Sequence, residues 1–215
     1  MPRSCRFCGA THRKITSEHV WPRWLADFVP PITGNVLAER WSSRSGSQEW
    51  QAGILEATVN TFCETCNSGW MADIEGTARP ILGPMVQGNR MTLDANAQRA
   101  VAHWAVLKGL VAAQVSKDEK QFIPDWHYER VRAAQGAPTN TVLVWIAQRE
   151  DLVHPDRPGR VRLFDSHVMP LARSEGMDTN PVCADYIAAG RLLTGTIFQA
   201  RQLLLAESRR RWHSV

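Results

Sequence analysis

Two pairs of cysteines in the first third of the chain have the spacing of metal ligands. Cys5 and Cys8 form one CxxC pair, and Cys63 and Cys66 form a second. The short spacing lets both thiolates of a pair bind one ion, because the backbone turns sharply between them. Two pairs predict a closed tetrahedral zinc site with a structural role, since no position remains for water. His12 can replace one cysteine, although a surface or substrate-facing role is the preferred interpretation.

Three polar residues beside these pairs have the chemistry of a phosphate-cleaving site. Glu18 and His19 follow the first pair, and Asn67 comes directly after Cys66. Carboxylate and amide oxygens suit Mg²⁺, and a neutral imidazole can take the proton of an attacking water. A cation held there polarises a phosphate and stabilises the leaving 3′ oxygen. Each residue alone indicates little, but one zinc site would bring all three together.

The bulk composition is that of a mildly basic globular protein. The 215 residues are 44% hydrophobic and carry a net charge of +4, which is compatible with nucleic acid without demonstrating it. No apolar run reaches the ~18 residues of a membrane span, and none follows the first residues as in a signal peptide. We expect a cytoplasmic protein whose paired cysteines bind metal in a reducing compartment.

The residues between and after the cysteine pairs predict a small set of elements. A short helix is expected from Trp21, and strands are expected over 35–42 and 54–62. The turn-rich segment 43–47 should join these strands into a hairpin inserted between the two halves of the metal site. A helix is then expected to begin at Asn67.

The spacing of apolar residues supports that helix and suggests where it ends. Trp70, Ile74 and Ala78 share one helical face. Pro80 and Pro84 should close the helix, because proline lacks the N–H that continues it.

The rest of the chain predicts helices followed by strands. Asp94 is a suitable N-cap for a long amphipathic helix, whose apolar run His103 and Lys108 interrupt. A second helix is expected over 125–135. Strand-like runs follow, which are 141–147, 160–164 and 192–205. The expected fold class is therefore α+β, with antiparallel strands after the helices.

The motif residues resemble the HNH (ββα-metal) endonuclease superfamily, whose zinc-containing members have a treble-clef unit. The run Glu18-His19-Val20-Trp21-Pro22 is similar to the D/E-H-I/V-x-P segment of that family. The run Cys63-Glu64-Thr65-Cys66-Asn67 is similar to its C-x-x-C-N/H segment. The phage junction-resolving nucleases with a four-cysteine zinc are the nearest variant.

The resemblance implies a role for each of these residues. His19 is the general base, and Glu18 and Asn67 hold a catalytic Mg²⁺ or Mn²⁺. The structural zinc is assigned to Cys5, Cys8, Cys63 and Cys66. Many members have an Asn shortly before the third cysteine, where this chain has Thr58. Asn60 lies nearby and can orient His19 through its backbone.

Residues 1–85 are therefore expected to form an HNH-like, zinc-stabilised nuclease domain with an inserted hairpin. Residues 90–215 should form an α+β accessory domain, through which the chain can form a homo-oligomer. The expected activity is metal-dependent hydrolysis of phosphodiester bonds in DNA, or in RNA, in a phage or defence system. The alternative is a zinc-stabilised module that binds nucleic acid or protein without catalysis.

Basic residues close to the motif are the candidates for phosphate contacts. They are Arg3, Arg6, Arg13, Lys14 and Arg23, with Arg40 and Arg44 on the expected hairpin. The alternative for each is ordinary solvated charge. Trp41 and Trp50 flank the expected turn, and they can stack on bases if exposed or pack across the hairpin.

Overall fold

The computed structural model of this chain has an α+β fold, as the sequence predicted. It describes residues 3–29, 36–42, 46–52, 55–115, 123–137, 142–150, 153–154, 157–161, 164–171 and 182–198. The strands are β1 Ile15–His19, β2 Val36–Ser42, β3 Gly46–Ala52, β4 Thr58–Cys63, β5 Val142–Gln148, β6 Val153–His154, β7 Arg157–Val161, β8 Phe164–Leu171, β9 Val182–Ala189 and β10 Leu192–Phe198. The α-helices are α1 Glu64–Cys66, α2 Ala72–Val86, α3 Ala95–Ala112 and α4 Asp125–Ala133.

Strands β1 and β4 form an antiparallel pair that leads directly into a helix. Ile15 is the Cα partner of Cys63, and His19 is the partner of Thr58, with an irregularity between Thr16 and Glu18. A second antiparallel pair, β2 with β3, lies between them in the sequence. The hairpin insertion is thus confirmed, but its second strand is β3 and not the segment 54–62. Strand β4, which covers most of that segment, pairs with β1 instead.

The helix after β4 is longer than the prolines predict. A π-helical turn, Asn67–Met71, joins α1 to α2, with a kink at Gly69 (φ −99°, ψ −121°). Pro80 and Pro84 lie inside α2, which ends only at Val86. The prediction that they end the helix was wrong. Pro80 is exposed and Pro84 is half-buried, so water can reach the carbonyls that lose a partner, while the opposite face stays packed.

The later part of the chain places two helices before an antiparallel sheet, in the predicted order. The sheet has the strand order β5-β10-β9-β8. Asp94 caps α3 as predicted, because its Oδ1 accepts a hydrogen bond from the Ala97 N–H at 2.8 Å. Strand β9 was not predicted, and the predicted run 192–205 is a strand over Leu192–Phe198, with its remainder outside the described residues.

Helix α3 packs against both parts of the molecule. It contacts α2 on one side and β5, β8, β9 and β10 on the other. Trp104 of α3 is fully buried, and its ring lies 6.5 Å from that of Trp24, which follows β1. The buried apolar cluster runs from Cys5 to Phe198. The core is continuous across residues 85–90, so the division into two domains at this point stays a prediction.

Among the described residues, no helix combines the length and the apolar character that crossing a membrane requires.

Candidate metal centre and active site

The four paired cysteines converge at the point where β4 meets the helix. The Sγ atoms of Cys5, Cys8, Cys63 and Cys66 all lie within 4.8 Å of one another. The Sγ atoms of Cys8 and Cys63 are 3.7 Å apart. Four sulfurs bound at about 2.3 Å around a tetrahedral zinc lie about 3.8 Å from each other. The donor set and its dimensions therefore fit a closed metal site. In the described part of the chain, it is the one group of three or more His, Cys, Asp or Glu side chains that can hold an ion.

The first cysteine pair is shaped by a glycine turn. Gly9 has a φ of 69°, which favours glycine over any residue with a Cβ. Its N–H donates to the Cys5 carbonyl at 2.8 Å, and the Cys5 N–H donates to the Ala10 carbonyl at 3.0 Å. The tight turn thus presents Cys5 and Cys8 to one point.

The aromatic ring between these two cysteines fixes the turn to the rest of the fold. Phe7 is buried and stacks on Phe62 of β4 at 4.7 Å. It meets the edge of Trp70 at 4.9 Å and the ring of Tyr128 in α4 at 5.6 Å. Phe7 therefore packs the first cysteine pair against aromatic residues of β4, of the π-helical turn and of α4.

The thiols of the cluster cannot all ionise without a cation. Burial, and then the nearby charge of Cys5, raise the pKa of Cys66 to about 12. Burial also acts to raise the pKa of Cys63, but hydrogen bonds from the Cys66 backbone and neighbouring thiols outweigh it and lower that pKa to about 7. A bound divalent metal ion would supply the positive charge that lets the four thiols ionise together.

Asn67 joins the second cysteine pair to strand β1. Its Nδ2 donates to Thr16 Oγ1 and to the Ser17 carbonyl, both at 3.1 Å. Ser17 lies two residues before His19, which ends β1. The two segments that the sequence suggested would meet are therefore in contact, through Asn67 and not through the zinc ligands alone.

His19 lies at the end of β1, where its surroundings favour the neutral imidazole. Arg23 Nε donates to His19 Nε2 at 3.1 Å, which marks Nε2 as the nitrogen with the lone pair. Burial, followed by the positive charges of Arg23 and Lys108, lowers the pKa of His19, although Glu75 acts in the opposite direction. The environment thus favours the form of histidine that can accept a proton.

Glu18 does not face solvent beside His19. Its side chain is 9% exposed, and its Oε1 accepts a hydrogen bond from Lys108 Nζ at 2.6 Å. The same ammonium contacts Glu75 Oε1 and donates to the His19 carbonyl at 2.8 Å. Burial raises the pKa of Glu75, which Lys108 partly offsets. A carboxylate–ammonium–carboxylate cluster, with Glu75 as its one partly exposed member, therefore holds the backbone carbonyl of His19.

Lys108 and Glu75 are members of this cluster that the sequence reading missed. Lys108 is fully buried in α3, and Glu75 lies in α2. One signal was present, because a lysine inside the apolar run of a core helix must find a buried partner. Nothing in the sequence indicates which carboxylate that partner is.

Asn60 lies two residues along β4 from the position opposite His19. Thr58, and not Asn60, is the Cα partner of His19. The Asn60 Oδ1 accepts a hydrogen bond from Ser17 Oγ at 2.7 Å. Its contact therefore supports the middle of β1, and the atom that reaches the His19 backbone is Lys108 Nζ.

The basic candidates for phosphate contacts differ in what they already bind. Arg6 pairs with Asp125 at 2.6 Å, and Arg23 is bonded to His19. Lys14 pairs with Glu64 at 3.4 Å and stays exposed. Arg13 is exposed and makes no recorded hydrogen bond or ion pair with the described residues.

The remaining basic and aromatic candidates are Arg3, Arg40, Arg44, Trp41 and Trp50. Arg3 is exposed, and Arg44 lies outside the described residues. Trp41 is the strand partner of Ser47, and Trp50 is the partner of Ala38, so the two tryptophans are not paired with each other. Arg40 lies on β2.

Comparison with protein-family models, curated proteins and solved structures finds no match to this chain. Its function must therefore be argued from the site.

Proposed function

We propose that this protein is a metal-dependent HNH-type endonuclease in which His19 is the general base. The observation that carries the proposal is the contact of Asn67 with β1 at Thr16 and Ser17. The contact joins Asn67 to Ser17 and Thr16, which lie 50 and 51 positions earlier in the sequence. The order of elements around them, a strand pair followed by a helix beside four converging cysteines, is compatible with the proposed ββα unit and supports the proposal.

In this reaction His19 Nε2 takes a proton from water. The oxygen of that water then attacks phosphorus, the bond from phosphorus to the 3′ oxygen breaks, and the leaving oxygen is protonated by solvent. Nε2 must first lose its bond from Arg23. The guanidinium of Arg23 is suited to move onto a substrate phosphate, because it binds oxyanions with two N–H groups.

The four cysteines are proposed to hold a zinc ion that keeps β4 and the helix in register. The second cation, Mg²⁺ or Mn²⁺, is proposed to bind at Glu18 and Asn67. Glu18 contacts Lys108 through Oε1, which leaves the second carboxylate oxygen as the donor. Asn67 uses Nδ2 for both of its hydrogen bonds, so Oδ1 is the atom that suits a hard cation. When bound, such an ion would stabilise charge on the phosphate and the leaving oxygen.

A second function is favoured by the ion pair of Glu18. A carboxylate held by a buried ammonium can be a purely structural group. In that case the protein is a zinc-stabilised module that binds nucleic acid or another protein, and His19 is a surface residue of that module.

Cleavage of supercoiled plasmid separates these functions. Purified protein should nick plasmid with Mg²⁺ or Mn²⁺ and lose this activity with a chelator that leaves the zinc bound. His19→Ala should remove cleavage but retain binding in a gel-shift assay. His103→Gln is the matched control, because it replaces a histidine of α3 outside the site and should cleave normally.

Single-stranded DNA and RNA should be tested alongside plasmid. If no divalent ion supports cleavage of any of them, the endonuclease proposal is wrong. A gel shift without cleavage would then favour a nucleic-acid-binding module, and its absence would favour protein interaction.

A further inference from the structure

We propose that Lys108 is a positioning residue that fixes the backbone of His19 from helix α3. This inference rests on the proposed role of His19 as the base. It assigns to the later part of the chain a direct part in building the site.

The ammonium of Lys108 has three N–H groups and three recorded acceptors. They are the Glu18 carboxylate, the Glu75 carboxylate and the His19 carbonyl. All three acceptors belong to elements other than α3. The side chain is fully buried, so it cannot exchange these partners for water without moving the helix. Its direction is therefore fixed from three sides.

The contact with His19 completes the anchoring of one peptide group. The carbonyl of His19 and the N–H of Val20 belong to the same peptide unit, whose atoms lie close to one plane. Lys108 holds the carbonyl at 2.8 Å, and the Ala57 carbonyl accepts from the Val20 N–H at 2.9 Å. With both polar atoms held, that plane cannot rotate, and the Cα of His19 is fixed where the strand ends.

The two carboxylates keep the lysine in place. Glu18 precedes His19 on the same strand, and Glu75 comes from α2. Their charges compensate that of the ammonium in a region with little water. Helix α3 is itself held against α2 and the sheet, so the anchor point is rigid. A displacement of the base by about 1 Å can cost about 100-fold in rate, which is why such an anchor matters for a base at a strand end.

The test compares two variants that share one substitution. Glu75→Gln keeps the lysine and its bond to the His19 carbonyl. Lys108→Met combined with Glu75→Gln removes that bond. Its cluster keeps the summed charge of the wild type, because one cation and one anion are lost together, and is one unit more negative than that of Glu75→Gln. Gln114→Leu is the control for loss of a buried hydrogen bond just beyond α3, where Gln114 donates to the Tyr128 hydroxyl at 2.6 Å.

Two readouts are measured on folded protein, with urea unfolding used to correct for the folded fraction. In plasmid cleavage, the double variant should lose about 100-fold in kcat relative both to Glu75→Gln and to the wild type, whose cluster charge it shares, with KM nearly unchanged. In imidazole ¹⁵N spectra, the His19 signals, identified by their absence in His19→Ala, should broaden or double in the double variant alone. Gln114→Leu should change neither readout.

Equal kcat and identical His19 spectra in the two compared variants would overturn the role of Lys108 while leaving the endonuclease intact. A wild-type protein that cleaves nothing would overturn the endonuclease instead. The imidazole spectra alone then decide whether Lys108 holds His19.

Discussion

The ammonium of Lys108 lies 2.6 Å from Oε1 of Glu18, although the two residues are 90 positions apart in the sequence. Glu18 precedes the proposed base, and Lys108 lies in the C-terminal half of the core helix α3. Their contact couples the cysteine-bearing segment to the helical part of the chain. Because both side chains are buried, the pair links the stability of the fold to the geometry of the candidate site.

Removing the lysine should destabilise the protein strongly. Lys108→Met leaves Glu18 and Glu75 facing each other without a cation, and breaking a buried pair in this way costs about 3–5 kcal/mol. The combined Lys108→Met and Glu75→Gln variant should recover part of this loss, since one of the unpaired charges is gone. Urea unfolding followed by tryptophan fluorescence measures both values. A loss for Lys108→Met below about 1 kcal/mol, the range of exposed pairs, would mean that water screens this cluster.

Loss of a cysteine ligand should release the metal and loosen the N-terminal segment. Purified protein should contain about one zinc per chain, as a closed four-ligand site implies. Cys66→Ser should weaken metal binding well beyond the about 10–100-fold that loss of a supporting residue costs. Metal analysis and thermal unfolding with and without a chelator measure the effect.

Cys183→Ser is the control for this experiment, because Cys183 is the fifth cysteine and lies outside the two CxxC pairs of the sequence. Its metal content should equal that of the wild type. Zinc-free protein with an unchanged unfolding temperature would contradict a structural metal at this centre.

Local sequence signals were enough to predict the cysteine cluster, the Asp94 cap and the order of helices before strands. Each of these depends on residues close in the sequence, or on a ligand spacing that only one geometry satisfies. The end of α2 was mispredicted because the local cost of Pro80 and Pro84 was outweighed by the packing of the helix. Burial of the opposite face decided that case.

Pairings between distant segments could not be read from the sequence. The hairpin was expected to close with 54–62, but that strand pairs with β1, and β3 closes the hairpin. The partners of Lys108 were hidden for the same reason. A buried lysine indicates that a carboxylate lies nearby. That these carboxylates are Glu18 and Glu75 follows from the packing of α3 against α2 and β1.

The helix that carries Lys108 should be sensitive to its cap. Asp94→Ala removes the acceptor of the Ala97 N–H, and loss of such a cap costs about 1 kcal/mol. Asp94→Asn keeps an acceptor and should lose much less. The urea midpoint should be highest for the wild type, slightly lower for Asp94→Asn and lowest for Asp94→Ala. Equal midpoints for all three proteins would mean that the cap contributes nothing.

A histidine outside the site should give the stability a dependence on acid pH. Burial, and then the charge of Arg99, lower the pKa of His103 in the folded protein from its usual 6.5. Above that value His103 is neutral in both states, and its contribution to stability is complete. As the pH falls through it, the unfolded chain binds the proton first, so stability is lost until the folded pKa is passed.

Urea unfolding at about pH 8 and about pH 5.5 should therefore show a smaller decrease for His103→Gln than for the wild type. The other histidines and the metal centre are common to both proteins and cancel in the difference. Equal decreases would show that His103 titrates alike in both states.

Substitution of Arg6 should lower stability and substitution of Arg13 should not, although both residues lie near the first cysteine pair. Arg6 pairs with Asp125 and lies over the Tyr128 ring at 4.8 Å, so Arg6→Ala should cost about 1 kcal/mol of stability. Arg13 is exposed without a recorded partner among the described residues, so Arg13→Ala should leave stability unchanged. If Arg13 contacts a phosphate, the slope of log affinity against log salt should fall by about 0.9 for duplex DNA. Gel shifts over a salt series measure that slope, and an unchanged slope for Arg13→Ala would make this arginine ordinary solvated charge.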